Sequence, residues 1–171
     1  DQLHASTVTA TTDCVFATLT RDDFTRVNTE IGEQAVAILD KSFFERSDAD
    51  ISSLLLLFNH LPFISKLRSR LLQQHCCRFL RVKRVQPKQV LYKQGEVGDE
   101  MCIILTGSLK VEKWRGSSSR RAASGGRGEV ARCRVGTAFG ESVITANSEL
   151  GRRHETTVTA NDDAIVATLS R

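Results

Sequence analysis

The two ends of this chain carry the same segment, and that constrains its architecture more than any other feature. Ser6-Thr7-Val8-Thr9-Ala10 recurs as Thr156-Thr157-Val158-Thr159-Ala160, and Asp13 recurs as Asp163. Ala17-Thr18-Leu19-Thr20-Arg21 recurs as Ala167-Thr168-Leu169-Ser170-Arg171. The offset is constant at 150 and also relates His4 to His154. A repeat that long is a whole domain rather than a solenoid unit. The chain therefore reads as a window across a tandem array: the tail of one domain, then nearly all of the next.

A chain of 171 residues supports one sizeable core, or one domain with an appendage. The longest apolar run, Leu54-Leu55-Leu56-Leu57-Phe58, is too short to span a bilayer, so no membrane partner is expected. No secretory signal pattern opens the sequence. The 5 cysteines, Cys14, Cys76, Cys77, Cys102 and Cys133, are odd in number and contain no Cys-x-x-Cys pair. They predict reduced thiols in a cytoplasmic setting, with packing roles. The net charge of +4 comes largely from Lys66, Arg68, Arg70, Arg78, Arg81, Lys83 and Arg84, and from Arg115, Arg120, Arg121 and Arg127. No aromatic stacking pattern accompanies these charges, so a solvated face and a loop are expected rather than a nucleic-acid surface.

The periodicity divides the chain. Residues 7–20, rich in Thr and Val, predict two short strands broken near Thr12-Asp13. Phe24, Val27, Ile31, Ala35 and Ile38 then recur at spacings of three and four, which predicts a helix capped by Thr20 or Asp22. Gly32 weakens its interior. Asp48-Ala49-Asp50 opens a second helix through Phe58, and Pro62 stops it or starts a turn. Ser65 is placed as the cap of a third helix, with Leu67, Leu71, Leu72 and Cys76 inward. From Phe79 the period becomes 2. Val90-Leu91-Tyr92, Met101-Cys102-Ile103-Ile104-Leu105 and Leu109-Lys110-Val111-Glu112 are short strands punctuated by Gly95, Gly98 and Gly107. The fold class is α+β: a helical part over about residues 21–78 on an antiparallel β-roll over about 79–170. Residues 115–129 are a low-complexity hairpin loop within that roll.

The segment Gln94-Gly95-Glu96-Val97-Gly98-Asp99, the apolar strand after it and Gly107 before the next strand resemble the core of the cyclic nucleotide-binding domain family. Gly136-Thr137-Ala138-Phe139-Gly140-Glu141 is similar to the Gly-x-x-Phe-Gly-Glu string that begins that family's phosphate-binding cassette. Thr20-Arg21-Asp22-Asp23-Phe24 is similar to the strand-to-helix junction that ends such a domain in kinase A regulatory subunits. The likeness extends to the tandem domains of those subunits and of cGMP-dependent protein kinases. It implies a double-stranded β-helix, or jelly-roll, flanked by helices. It also implies three parts. Residues 1–21 are the last strands of a preceding domain, 22–61 are connecting and N-terminal helices, and 62–171 are a domain without its C-terminal capping helices. One family glycine is absent, since Lys88 follows Pro87.

The resemblance implies a ligand site built from Phe139, Gly140, Glu141, Ser142, Val143, Arg152, Arg153, His154 and Thr156. A cyclic phosphate such as that of cAMP or cGMP is an anion, and backbone N–H groups at a helix start suit it. Gly140 lets the backbone approach closely. Glu141 matches the family's ribose carboxylate, and Ser142 and Val143 offer N–H groups to the phosphate. The family's phosphate-pairing Arg stands four residues before the Val of the next strand, and here that position is His154. Counted back from Val8, the first copy has His4 there. An imidazole gives one donor where a guanidinium gives a charged fork. The long stretch from Glu141 to His154 holds Arg152 and Arg153, either of which is a candidate substitute.

Three readings of function compete. The first is a regulatory module that senses a cyclic nucleotide or a related purine nucleotide or nucleoside. Its partners are the neighbouring domain and a kinase or other effector. The second is a degenerate copy that binds no nucleotide and serves as an interaction domain. The third, an enzyme, is set aside. His4, His60, His75 and His154 have no metal-ligand spacing, so no metal or cofactor is expected, and no nucleophile-plus-base signature appears.

Overall fold

Each helix starts where the sequence supplies an acceptor for its free N–H groups. The computed structural model describes residues 6–113 and 128–171. Helix α1, Arg21–Leu39, is capped by Thr20, whose hydroxyl accepts from the Asp23 N–H. Asp22 and Asp23 in its first turn complement the helix dipole. Helix α2, Asp48–Phe58, has a reciprocal capping box between Ser47 and Asp50. The short α3, Pro62–Ser65, begins on its proline, where a missing N–H costs nothing. Helix α4, Arg70–Phe79, is capped by Ser69.

Two helical expectations need correction. Ser65 ends α3 instead of capping α4, and Leu71 and Leu72 are exposed. The inward line of α4 is Gln73 and Cys77, with Cys76 half-buried. The cause is polar: the Gln73 amide donates to the carbonyls of Ile64 (3.1 Å) and Leu67 (2.9 Å), which closes the end of α3 and sets the phase of α4. On α1 the buried residues are Gly32, Ala35 and Leu39, while Phe24 is 56 % exposed and Val27 is also exposed. Only the second half of the helix lies on the roll. It crosses strand β3 at Gly32, where a Cβ would stand 1.8 Å from the Leu105 carbonyl oxygen. That glycine is therefore a contact requirement rather than a weak spot.

The change of period at Phe79 marks the start of the roll. Its strands are β1 (Arg81–Val85), β2 (Val90–Tyr92), β3 (Glu100–Thr106), β4 (Ser108–Lys113), β5 (Gly128–Arg134), β6 (Ala138–Phe139), β7 (Thr157–Ala160) and β8 (Ala164–Ser170). They form two four-stranded sheets, ordered β1-β8-β3-β6 and β2-β7-β4-β5, and every pairing is antiparallel. Between β6 and β7 lie a short helix α5, Glu141–Thr145, and a 3-10 turn, Leu150–Arg152. Most of the predicted 115–129 loop, with Arg115, Arg120, Arg121 and Arg127, lies outside the described residues, as does His4.

Strand β3 shows why three layers are needed. Met101, Ile103 and Leu105 join a core with Leu54, Phe58 and Leu80 of the helical layer. Cys102 and Ile104, alternating with them, join a second core with Tyr92, Leu109 and Val158 between the sheets. Burial pushes the thiols of Cys77 and Cys102 up to about 12, so both are inert packing groups. Buried Arg46 donates to the carbonyls of Leu39, Lys41, Arg78 and Leu80, which ties the ends of α1 and α4 to the start of the roll. No helix among the described residues is long and apolar enough to cross a membrane.

Residues 7–20 were expected as two strands and form none. Their counterparts β7 and β8 already occupy the matching places in this roll, so the tail has no ladder to join. The missing family glycine also has a structural trace. Gln86-Pro87-Lys88-Gln89 is a turn closed by Gln89 N–H to Gln86 C=O (3.0 Å), with Lys88 at φ +67°. Proline second and a left-handed third residue define a type II turn, which favours glycine third.

Two substitutions test this packing by urea denaturation. Lys88→Gly is expected to stabilise the fold by about 0.5–1 kcal/mol, because it relieves a left-handed side chain. Gly32→Ala is expected to cost about 1–3 kcal/mol, because the added methyl pries α1 from β3. A neutral result at Gly32 would mean that α1 does not rest on β3.

Candidate functional site

Three segments converge on one end of the roll. The turn at Gln94–Gly98 is bound to the segment before β7 by a short ladder. Gly95 N–H donates to His154 C=O (2.8 Å), His154 N–H to Glu96 C=O (2.9 Å), and Gly98 N–H to Arg152 C=O (2.9 Å). Gln94 N–H donates to the Thr157 hydroxyl (3.0 Å), which pins the turn to β7 itself. Gly98 is packed against both other segments. A Cβ there would stand 2.2 Å from His154 Nε2 and 3.0 Å from Val143 Cγ1.

The β6–α5 junction supplies the second wall. Gly140 is left-handed at φ +84°, and a Cβ there would crowd the Glu100 carbonyl oxygen (3.1 Å) and Met101 Cα (3.2 Å). Glycine thus holds the junction against β3. Phe139 is half-buried, pairs with Cys102 across the ladder and packs its ring 5.8 Å from that of Tyr92. Glu141 is half-buried, and its carboxylate takes no hydrogen bond or ion pair among the described residues. Ser142 is exposed. Val143 departs from the expected donor role: its N–H is spent on the Gly140 carbonyl (3.0 Å) and its side chain is buried.

The third wall holds the expected charge partners. His154 is only 7 % exposed, and its ring stacks on Tyr92 with centroids 3.7 Å apart and planes 10° from parallel. Burial holds its imidazole below the ordinary histidine range, against the pull of Glu96, Glu100 and Asp99. The Arg153 guanidinium is committed to the Gly95 carbonyl (2.7 Å) and to Glu149 (3.3 Å). Arg152 is half-buried, and its side chain has no partner among the described residues. Thr156 lies half-buried just before β7. Of the acidic neighbours, Glu100 is paired with Lys83 (2.9 Å), whereas Glu96 and Asp99 are in no ion pair among the described residues.

The arrangement brings Phe139, Gly140, Val143 and His154 around one spot and directs Arg153 away to the turn. Sequence reasoning missed Tyr92, whose only signal was an aromatic residue on a short strand, and the packing role of Gly98. It also missed the acidic surround. Among the described residues no group of His, Cys, Asp and Glu is placed to hold a metal. Two clefts of about 360 and 350 Å³ lie in the helical layer, one near Ile64, Arg70 and Gln73 and one between α1 and α2 at Gln34, Ile38 and Leu57. Neither touches the cassette.

Residues 82–171 match the family model described as a cyclic nucleotide-binding domain. Solved structures share the fold. The regulatory domain of Toxoplasma gondii PKA, crystallised with cAMP, matches at 18 % identity and TM-score 0.52, over 88 % of this chain and 44 % of that one. The regulatory subunit of a cAMP-independent protein kinase A from Trypanosoma brucei matches at 20 % identity and TM-score 0.52, over 75 % and 44 %. Its Trypanosoma cruzi equivalent, bound to guanosine, matches at 22 % identity and TM-score 0.53, over 70 % and 39 %. The chain spans less than half the length of each of these proteins.

The burial of His154 sets a pH dependence. Its folded pKa lies below its unfolded value, so the unfolded chain binds the proton first as pH falls. The stability of the neutral buried ring is fully present above about pH 6.5 and is lost as pH falls below that. In urea midpoints read at successive pH values, the wild type is expected to lose more stability on acidification than His154→Gln. Equal slopes would show that the ring does not titrate against burial.

Proposed function

The chain belongs to the cyclic nucleotide-binding domain family, and from that premise we propose that it is a regulatory sensor of a purine nucleoside, controlling an effector to which it is joined or bound. The observation that carries this reading is His154. It stands where the family pattern has a phosphate-pairing Arg, and it is buried, stacked on Tyr92 and shifted toward its neutral form. A neutral imidazole leaves a buried phosphate one charged partner short, which costs about 1.5–3 kcal/mol, or about ten- to a hundredfold in affinity. The carboxylates of Glu96 and Asp99, which are in no ion pair among the described residues, oppose an anion further. A neutral nucleoside pays neither penalty.

What the site retains suits a ribose. Gly140 keeps the backbone close, and Glu141 keeps an acceptor with no side-chain partner among the described residues. A hydroxyl donor of a sugar satisfies that carboxylate with a charge-assisted hydrogen bond. The Trypanosoma cruzi neighbour, described as bound to guanosine, supports the reading as an example of this fold with a nucleoside. A second reading, an interaction domain that binds no nucleotide, draws on the same packing, because the Tyr92 and His154 rings fill the interior beside Gly98.

Calorimetric titration with guanosine, adenosine, inosine, cAMP and cGMP separates these readings. A nucleoside is expected to bind at least about tenfold more tightly than either cyclic nucleotide. Glu141→Ala is expected to abolish nucleoside binding, and His154→Arg to strengthen cAMP or cGMP. Tight cAMP binding that Arg152→Ala removes would contradict the proposal and make Arg152 the substitute charge. No heat from any compound leaves the interaction domain.

A further inference from the structure

The run Leu54-Leu55-Leu56-Leu57-Phe58 closes α2, and no single face of a helix holds that many consecutive positions. Leu54 and Phe58 join the helical core, so Leu56 stands on the opposite side and is 77 % exposed. A helix that is apolar all round is one that is covered all round. An isolated exposed leucine is ordinary, but Leu56 is a wall shared by both clefts of the helical layer. It is a ridge between two grooves, the form by which helices interlock. The first groove has Arg70 on its far wall, and the second has Gln34 and Ala37.

The rims of the two grooves carry opposite charge. Arg70, and Lys66 beside the lining Ser65, are in no ion pair among the described residues. Glu30 and Glu33, one turn before Gln34 and Ala37 on α1, are in none either. These charges also stand at one level along α2. Arg78 binds Asp48 (3.0 Å) and Lys41 binds Asp50 (2.9 Å), so α4 and α1 both run back along α2 from its start. Two turns back from Arg78, Arg70 reaches the level of Leu56, and two turns back from Lys41, Gln34 reaches Leu57.

We propose that this face joins two copies of the chain about a two-fold axis parallel to α2. With the axis displaced toward the first groove, each Leu56 sits in the partner's first groove. The Arg70 wall then enters the partner's second groove, beside the partner's Glu30 and Glu33. A two-fold contact pairs one patch with itself, and opposite rims make this patch its own complement. The axis across α2 is disfavoured, because it sets Arg70 against Arg70 and Glu33 against Glu33. An apolar centre within a charged rim is the anatomy of a specific interface. Neither groove touches the cassette, so this inference stands apart from the ligand reading.

Sedimentation equilibrium of the 171-residue chain tests the proposal. The chain is expected to form a dimer that dissociates on dilution. Leu56→Lys is expected to raise the dimer dissociation constant about thirtyfold or more. Because Leu56 is exposed, the same change is expected to leave the urea midpoint of the dilute, monomeric chain unchanged. Arg70→Glu, and Glu30→Arg with Glu33→Arg, are each expected to weaken the dimer about threefold or more. All three charge reversals in one chain are expected to restore it. Phe16→Asp, in the exposed segment before α1, is expected to have no effect. A chain that stays monomeric up to about 0.1 mM overturns the proposal. A dimer that Phe16→Asp dissociates and Leu56→Lys does not overturns it in favour of that segment. Loss with the separate charge reversals and no rescue by their combination overturns the proposed axis.

Discussion

Two neighbouring strands buried on both faces hold this molecule together. β3 and β8 lie side by side in the middle of one sheet, so that sheet needs apolar cover above and below. Helices supply one cover and the second sheet supplies the other. The helical cover approaches closely only because Gly32 lets α1 rest on the Leu105 carbonyl. Arg46 then fixes the helix ends to the roll by binding carbonyls that would otherwise be buried without donors. The cassette hangs from the same strand, since Gly140 packs on Glu100 and Met101 at the start of β3. The position of the site is thus a consequence of how β3 is covered.

In the proposed function, charge decides what that site accepts. Exchanging a guanidinium for an imidazole changes more than a count of donors. The guanidinium stays charged when buried, whereas the imidazole sheds its proton and packs as a flat ring against Tyr92. Arg153, the nearest substitute in sequence, is drawn to the Gly95 carbonyl and Glu149 and serves the turn. Arg152 alone of the three keeps an uncommitted side chain among the described residues. Acidic groups on the Gln94–Gly98 turn and after it, Glu96, Asp99 and Glu100, complete the surround of His154.

Much of this was legible in the residues because local signals and global packing agree. The period change at Phe79, the cap at Thr20, the helix start at Asp48-Ala49-Asp50 and the glycine-marked turns all mean in the structure what they mean in the sequence. The failures come where a partner distant in sequence decides. Gly32 reads as a helix defect until Leu105 stands against it. The phase of α4 follows from Gln73 closing α3, which no apolar pattern encodes. Val8 to Leu19 carry strand chemistry, but strands need ladders, and those places in this roll are taken. His154 shows a lost charge in the sequence, while its burial against Tyr92 and Gly98 appears only in three dimensions.

The protonation state of His154 is the point on which the ligand reading turns. Side-chain nitrogen chemical shifts of that ring, followed by NMR across the acid range, report it directly. The ring is expected to be neutral at neutral pH and to titrate below the ordinary histidine value of about 6.5. A midpoint above that value, with the ring charged near neutrality, would place a cation where a cyclic phosphate belongs and contradict a site built for a neutral nucleoside.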